Sequence, residues 1–367
     1  MKVGIDYYPA VSHAPGIGRY SRELVRALVR LSDCPELHLA DIGRHERIFG
    51  EPALGLADAP HRAHLHELHA SRKLFSLRHR LFGHGADTAI GGVDLFHRMF
   101  PAWPPVAKAR ELQPILQVPR AGSPEDAELA LTARRAGHVL VFSRRAGGEM
   151  RSRYGLEADA VHQVPIGCDH WLRDAGDPPF EKKDPPQVLV LGPLSDRRKP
   201  GAVLHALEKA VRRRQQIQLL YVGSRGGDEG VRFLREDLGS FVRNWVLINE
   251  QAREEDLPGI VASSSLLIHL SDDEASAITP LEAFAFGVPV IASRLPAFEE
   301  ALGEEAVFVE HDVEDDPKEF GAVILEALQG AGDEAAAERR RAIGQRHSWE
   351  ANARATVEVW SKVLGEG

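Results

Sequence analysis

Short runs of Val, Ile and Leu alternate with segments of helical periodicity, and this alternation occurs twice along the 367 residues. In the first half the runs are KVGID (2–6), LHLADI (37–42), VDLFHRMF (93–100), QPILQV (113–118), HVLVFS (138–143) and VHQVP (161–165). Between the first two, Ile17, Tyr20, Leu24, Leu28 and Leu31 recur at a helical period. In the second half VLVLG (188–192), IQLLYVG (217–223), WVLI (245–248), SLLIHLS (265–271), VPVIAS (288–293) and AVFVE (306–310) are separated by helical segments at 200–214, at 229–240 and from about 253. Apolar runs without polar alternation are strands covered on both faces. Strand–helix alternation supplies that cover and makes the sheet parallel. The expected fold class is therefore α/β, with two doubly wound domains.

The stretch 173–187, RDAGDPPFEKKDPPQ, is rich in Pro and charge and reads as a linker. The expected division is a first domain over 1–172, the linker over 173–187, a second domain over 188–346 and a terminal helix over 347–367. That helix carries Trp349, Ala353, Val357 and Trp360 on one face.

Charge is uneven: residues 1–172 carry a net +3 and the remainder −12. This is far from the basic face of a nucleic-acid protein, so no nucleic-acid partner is expected. No run of 18 apolar residues occurs, so no membrane span is expected. The start, MKVGIDYYP, reads as a strand rather than a leader. Two cysteines, Cys34 and Cys168, form no disulfide framework and fit a reducing compartment. A cytoplasmic location follows as an expectation. The run HRAHLHELH places histidines at 61, 64, 66 and 69, a spacing that fits no single helix or strand face, and no metal is expected. The stretch continuing through SRKLFSLRHRLFGH is basic and amphipathic, compatible with packing or with peripheral contact at the inner face of a membrane.

Three segments carry candidate chemistry. In DDEASAITPLEAFAFGVPVIAS (272–293), Thr279 reads as an N-cap, Pro280 as the first helical residue and Glu282 as the third, a capping box. Gly287 ends that helix. Glu274 lies in the preceding loop, where it is free to accept hydrogen bonds from sugar hydroxyls beside an anion at the helix start. In SHAPGIGRYSREL (12–24), Gly16 and Gly18 let backbone amides approach a ligand. Ser21 breaks the dinucleotide fingerprint, which disfavours a dehydrogenase. In LGPLSDRRKP (191–200), Arg197, Arg198 and Lys199 stand at a strand exit, where a cation cluster holds a diphosphate.

Taken together, these segments resemble the family 4 retaining glycosyltransferases, whose fold is GT-B: two Rossmann-like domains facing across a cleft. GIGRYSRELVRAL, VPIGCD, LGPLSDRRKP, the pair Glu274 and Glu282, LEAFAFGVPVIAS and HSWEANARATVEVW carry the resemblance almost end to end. It implies an acceptor-side first domain, a donor-side second domain and a terminal helix crossing back. It implies catalytic Glu274 on the transferred sugar and Lys199 on the diphosphate. Donor binding would fall to Gly16, Gly18, Arg198, Ala277, Ile278, Thr279 and Glu282, the last on the nucleotide ribose. The implied partners are a nucleotide-diphosphate sugar and a glycan, lipid-linked or small-molecule acceptor, with no metal or cofactor. Pro193 stands where the family commonly has Arg, Gln117 and Val118 where it has His-Asp, and ASAI where it has a glycine-rich loop. These departures carry the alternative expectation of a GT-B protein that binds nucleotide or glycan without catalysis.

Overall fold

The computed structural model describes residues 1–12, 16–44, 54, 56, 62–101, 103–119, 121–174, 180–212, 216–224, 245–310, 312–313 and 315–365. The helix expected over 229–240 lies outside the described residues, as does His61. The chain divides into two compact units, Met1–Gly167 with Trp349–Gly367, and Cys168–Ser348.

The first unit is built on a parallel sheet of seven described strands: β1 Lys2–Asp6, β2 Glu36–Ile42, β3 Ala63–Leu68, β4 Leu95–His97, β5 Arg110–Ile115, β6 Gly137–Val141 and β7 Val161–Gln163. Their spatial order is β3-β2-β1-β4-β5-β6-β7. Val3, Ile5, Leu37, Leu39, Leu95, Leu112 and Val139 are fully buried, as expected for strands covered on both faces. The strand β3 differs from the sequence expectation, which gave its histidine run no element. Strand alternation puts His64 and His66 on one face beside His38 of β2: His66 stacks on its ring with centroids 5.1 Å apart, and His64 meets it tilted at 5.4 Å. The histidines pair across the strands by ring contact and by hydrogen bonding, His38 Nδ1 lying 3.0 Å from His66 Nε2.

The C-terminal helix Trp349–Leu364 packs on helix Ile17–Leu28 of the same unit. Trp349 and Trp360 are buried; Trp360 Nε1 donates to His97 Nδ1 at 3.2 Å. Trp349 presses so closely on Gly167 that a Cβ there would lie 2.5 Å from its ring.

The second unit holds β8 Gln187–Leu191, β9 Gln218–Val222, β10 Val246–Asn249, β11 Leu266–His269, β12 Val290–Ser293 and β13 Val307–Val309. All described pairings are parallel, in the order β10-β9-β8-β11-β12-β13. Each unit thus runs outward from its first strand in one direction, then reverses. The reversals lie between β1 and β4 and between β8 and β11. At such a switch point the loops leaving adjacent strands part to opposite sides and open a crevice at the strand C-termini. Among the described residues no helix is long and apolar enough to cross a membrane.

Candidate functional site

In the second unit the switch point is flanked by the exits of β8 and β11. The exit of β8 runs through Gly192, at φ +131, to helix Pro200–Arg212. Gly223, leaving β9 at φ +150, crowds the same turn: a Cβ on it would lie 2.1 Å from the Gly192 carbonyl oxygen. Two strand exits can approach this closely only without side chains. Lys199, immediately before the helix, has φ +46, and no other described non-glycine residue has positive φ. A side chain in that region costs on the order of 1 kcal/mol, and such strain persists where the surroundings hold it.

The exit of β11 carries Glu274. Its Oε1 receives Arg197 Nη2 at 2.5 Å and Arg198 Nη2 at 3.1 Å. Arg197 also binds the Asp273 carbonyl at 2.9 Å and Ser271 Oγ at 3.0 Å. Arg198 donates through Nη1 to the Leu270 carbonyl and to His269 Nε2, each at 2.9 Å. Burial pulls the Arg198 guanidinium below its ordinary value, while Glu274 pulls it back. Burial, then Arg198 and Arg197, drive His269 well below its ordinary value. His269 is therefore neutral and accepts at Nε2. The result is a braced carboxylate: two guanidinium groups fix Glu274, and His269 with the Leu270 carbonyl fixes one of them. Lys199 Nζ lies 3.9 Å from Asp272 Oδ1 on the same β11 exit, and that aspartate side chain is 56% exposed. The structure thus brings Lys199, Arg197, Arg198 and Glu274 onto two adjoining loops.

The helix after this loop, Ile278–Ala285, corrects the capping-box expectation. Its N-cap is Ala277, with no side-chain cap, and Thr279 is its second residue. Glu282 does not turn back to the helix start. It is fully buried, with Oε1 3.2 Å from His170 Nε2. The N-cap residue Ala277 has no side chain that could cap the first-turn amides of Ile278 and Thr279. An uncapped helix start at a strand C-terminus is suited to an anion. Gly287, at φ +75, closes the helix as expected: its amide reaches the Phe284 carbonyl at 2.8 Å, and Val288 reaches Ala283 at 3.0 Å. Burial, then Glu282 and Asp169, raise the Cys168 thiol well above its ordinary value.

The first unit has its own polar centre at its switch point, which the sequence reading missed. Asp6 ends β1 and is buried; its Oδ2 has no hydrogen-bond partner among the described residues. Burial raises it to about 7, against the attraction of Arg98 and backbone hydrogen bonds from Tyr8, Met99 and Phe100. Its signal in the sequence is a carboxylate closing the apolar run KVGID. Gly16 is the exposed N-cap of helix Ile17–Leu28 at φ +67, with open space where a Cβ would stand. Gly18 differs: a Cβ there would lie 2.6 Å from the Pro9 carbonyl oxygen, so its requirement is helix packing.

A folded Asp6 holds its proton up to about pH 7, whereas an unfolded one releases it near 3.8. The folded state binds more protons between these values, so the contribution is complete below 3.8 and is lost as pH rises through 7. Relative to Asp6→Asn, the wild type is expected to lose roughly 3 kcal/mol between about pH 5 and about pH 8, because each pH unit in which only the folded state keeps the proton costs ~1.36 kcal/mol. Denaturant unfolding of both proteins across that range checks it, and parallel pH profiles would contradict it.

Two Rossmann-like parallel α/β domains, each with its crevice at a switch point, define a protein of the GT-B class. Solved structures agree over the whole chain. HepE of Anabaena, crystallised with UDP and glucose, superposes with a TM-score of 0.69 at 15% identity, over 98% of this chain and 99% of that one. Residues 175–352 match the family glycosyl transferases group 1. Over 98% of its length it is 23% identical to O-antigen chain mannosyltransferase B of Escherichia coli, covering 99% of that protein. It is 30% identical to phosphatidyl-myo-inositol mannosyltransferase of Mycolicibacterium smegmatis over 63% of this chain and 60% of that protein.

Proposed function

We propose that the protein is a retaining glycosyltransferase that moves a hexose from a nucleotide-diphosphate sugar to a glycan, lipid-linked or small-molecule acceptor. One observation carries this reading: Glu274, Lys199 and the uncapped helix start at Ala277–Thr279 share the two loops that flank one switch point. The helix amides and Lys199 supply positive field where a diphosphate would sit. Asp272, half exposed and 3.9 Å from Lys199, is a partner that a diphosphate can displace. Arg198, committed to Glu274, His269 and Leu270, acts instead as a positioning residue for Glu274.

The chemistry follows from charge. As the bond between the anomeric carbon and the phosphate oxygen breaks, that oxygen gains negative charge, which Lys199 and the helix start stabilise. Glu274, held by two arginines, accepts hydrogen bonds from sugar hydroxyls and orients the ring. The departing phosphate oxygen takes the acceptor's proton on the face it leaves, so the anomeric configuration is kept. Glu282, buried against His170, reaches a ribose only if that pairing opens. The curated mannosyltransferase relatives support hexosyl transfer, and the UDP-bound structural neighbour supports the donor class.

The test is incubation of the full chain with UDP- and GDP-hexoses and candidate acceptors, with the product anomer read by NMR. Transfer with retention, unchanged after dialysis against EDTA, is the expected result; inversion would overturn the proposed chemistry. A second reading, a nucleotide- or glycan-binding protein without turnover, is favoured by one observation: both Arg197 and Arg198 are engaged by Glu274, and Pro193 adds no cation. Donor binding without transfer or hydrolysis across the panel would select it.

A further inference from the structure

Helix Arg72–Phe82 is held to the first unit along one face only. Phe75 is its one buried residue and meets Trp103 edge-on at 5.5 Å; Arg72 stacks over the same ring at 5.5 Å. Ser71 caps its start by accepting from the Leu74 amide, and Gly83 ends it at φ +64. The helix is therefore well formed, yet its solvent face is apolar. Leu74 is 52% exposed, Leu77 50%, Leu81 64% and Phe82 69%. These are four of the eight large apolar side chains exposed among the described residues, concentrated on one short helix.

At 3.6 residues per turn, Leu74, Leu77 and Leu81 fall within an arc of about 60°. Lys73 and Arg80 border that arc on one side and Arg78 on the other. No Asp or Glu occurs between Glu67 and Asp87. A surface helix normally turns its charged residues outward and its apolar stripe inward. This helix presents an apolar stripe to solvent and frames it with cations, the pattern of a helix lying in the plane of an anionic bilayer. The charge also argues against self-association through this face. A two-fold copy would set Lys73, Arg78 and Arg80 against their own counterparts.

We propose that helix Arg72–Phe82 docks the protein on an anionic lipid surface, with Leu74, Leu77 and Leu81 entering the headgroup boundary and Lys73, Arg78 and Arg80 meeting lipid phosphates. The docking does not depend on glycosyl transfer, so it is read without turnover.

The experiment is co-sedimentation of the full chain with vesicles of phosphatidylcholine, alone or mixed with phosphatidylglycerol. The wild type is expected to partition onto the mixed vesicles and to release with added salt. Leu77→Glu should lower partitioning at least about tenfold, because burial of one leucine is lost. The triple variant Lys73→Ser, Arg78→Ser, Arg80→Ser should lower it about 100-fold, at about fivefold per basic side chain. Thermal unfolding of both variants should match the wild type, since these side chains are exposed. Equal binding to neutral vesicles, no binding by the wild type, or wild-type binding by either variant would overturn the proposal. So would concentration-dependent dimerisation that Leu77→Glu abolishes in a protein that ignores vesicles; the occupant would then be a second copy.

Discussion

Replacing Lys199 by alanine is expected to lower glycosyl transfer by about 10²–10³, the effect of removing one preorganised group that meets developing charge. The loss should fall mainly on kcat. Lys199 meets a diphosphate in the bound donor, but its attraction grows as the leaving oxygen becomes an anion. Backbone geometry supplies a control that few lysines allow. Lys199 sits at φ +46, where glycine is unstrained. Lys199→Gly should therefore remove the ammonium and, unlike Lys199→Ala, relieve the backbone strain, leaving the glycine variant the more stable of the two. A lysine kept for stability would show the reverse: activity in the alanine variant and a loss of stability in both. Steady-state kinetics and thermal unfolding of the two variants separate these outcomes.

Arg98→Met is expected to destabilise the first unit by about 3–5 kcal/mol, because removing one partner of a buried ion pair strands the other charge. Arg98 is 1% exposed and donates through Nε to Glu111 Oε2 at 2.7 Å and through Nη2 to the same oxygen. It also provides the cation that opposes the burial of Asp6. Without it, Glu111 keeps Arg135 as its cation among the described residues, at 3.3 Å and half exposed, and Asp6 loses the charge that opposes its burial. The double variant Arg98→Met, Glu111→Leu should recover most of the loss, since a well-packed apolar pair replaces a buried ionic one at little cost. Hydrogen exchange of β1, β4 and β5 amides reports on this unit directly. Unchanged protection in the single variant would contradict the assignment.

The alternation of apolar runs and helical periods made both parallel sheets legible, because strands covered on both faces leave a continuous apolar signature. The strand β3 escaped because only Ala63 of its residues is buried and its histidines lie on the more open face, where their role is visible only once His38 lies beside them. Glu274 and Lys199 stood out as charges at strand exits. What holds Glu274 did not: Arg197 and Arg198 lie more than 70 residues away in sequence, and His269 reads as part of an apolar strand. The capping box at Thr279 and Glu282 fitted local rules, yet His170, 112 residues earlier, draws Glu282 away. Local patterns state what a residue can do alone. A carboxylate with several candidate partners is decided by the nearest buried one.

The central claim is that the switch point between β8 and β11 holds a nucleotide-diphosphate sugar. A crystal structure of the full chain soaked with UDP or GDP tests it most directly. The account predicts the diphosphate within hydrogen-bond reach of Lys199 Nζ and of the Ile278 and Thr279 amides, with Glu274 beside the terminal phosphate. A nucleotide bound elsewhere on the second unit, with Lys199 still on Asp272, would contradict it.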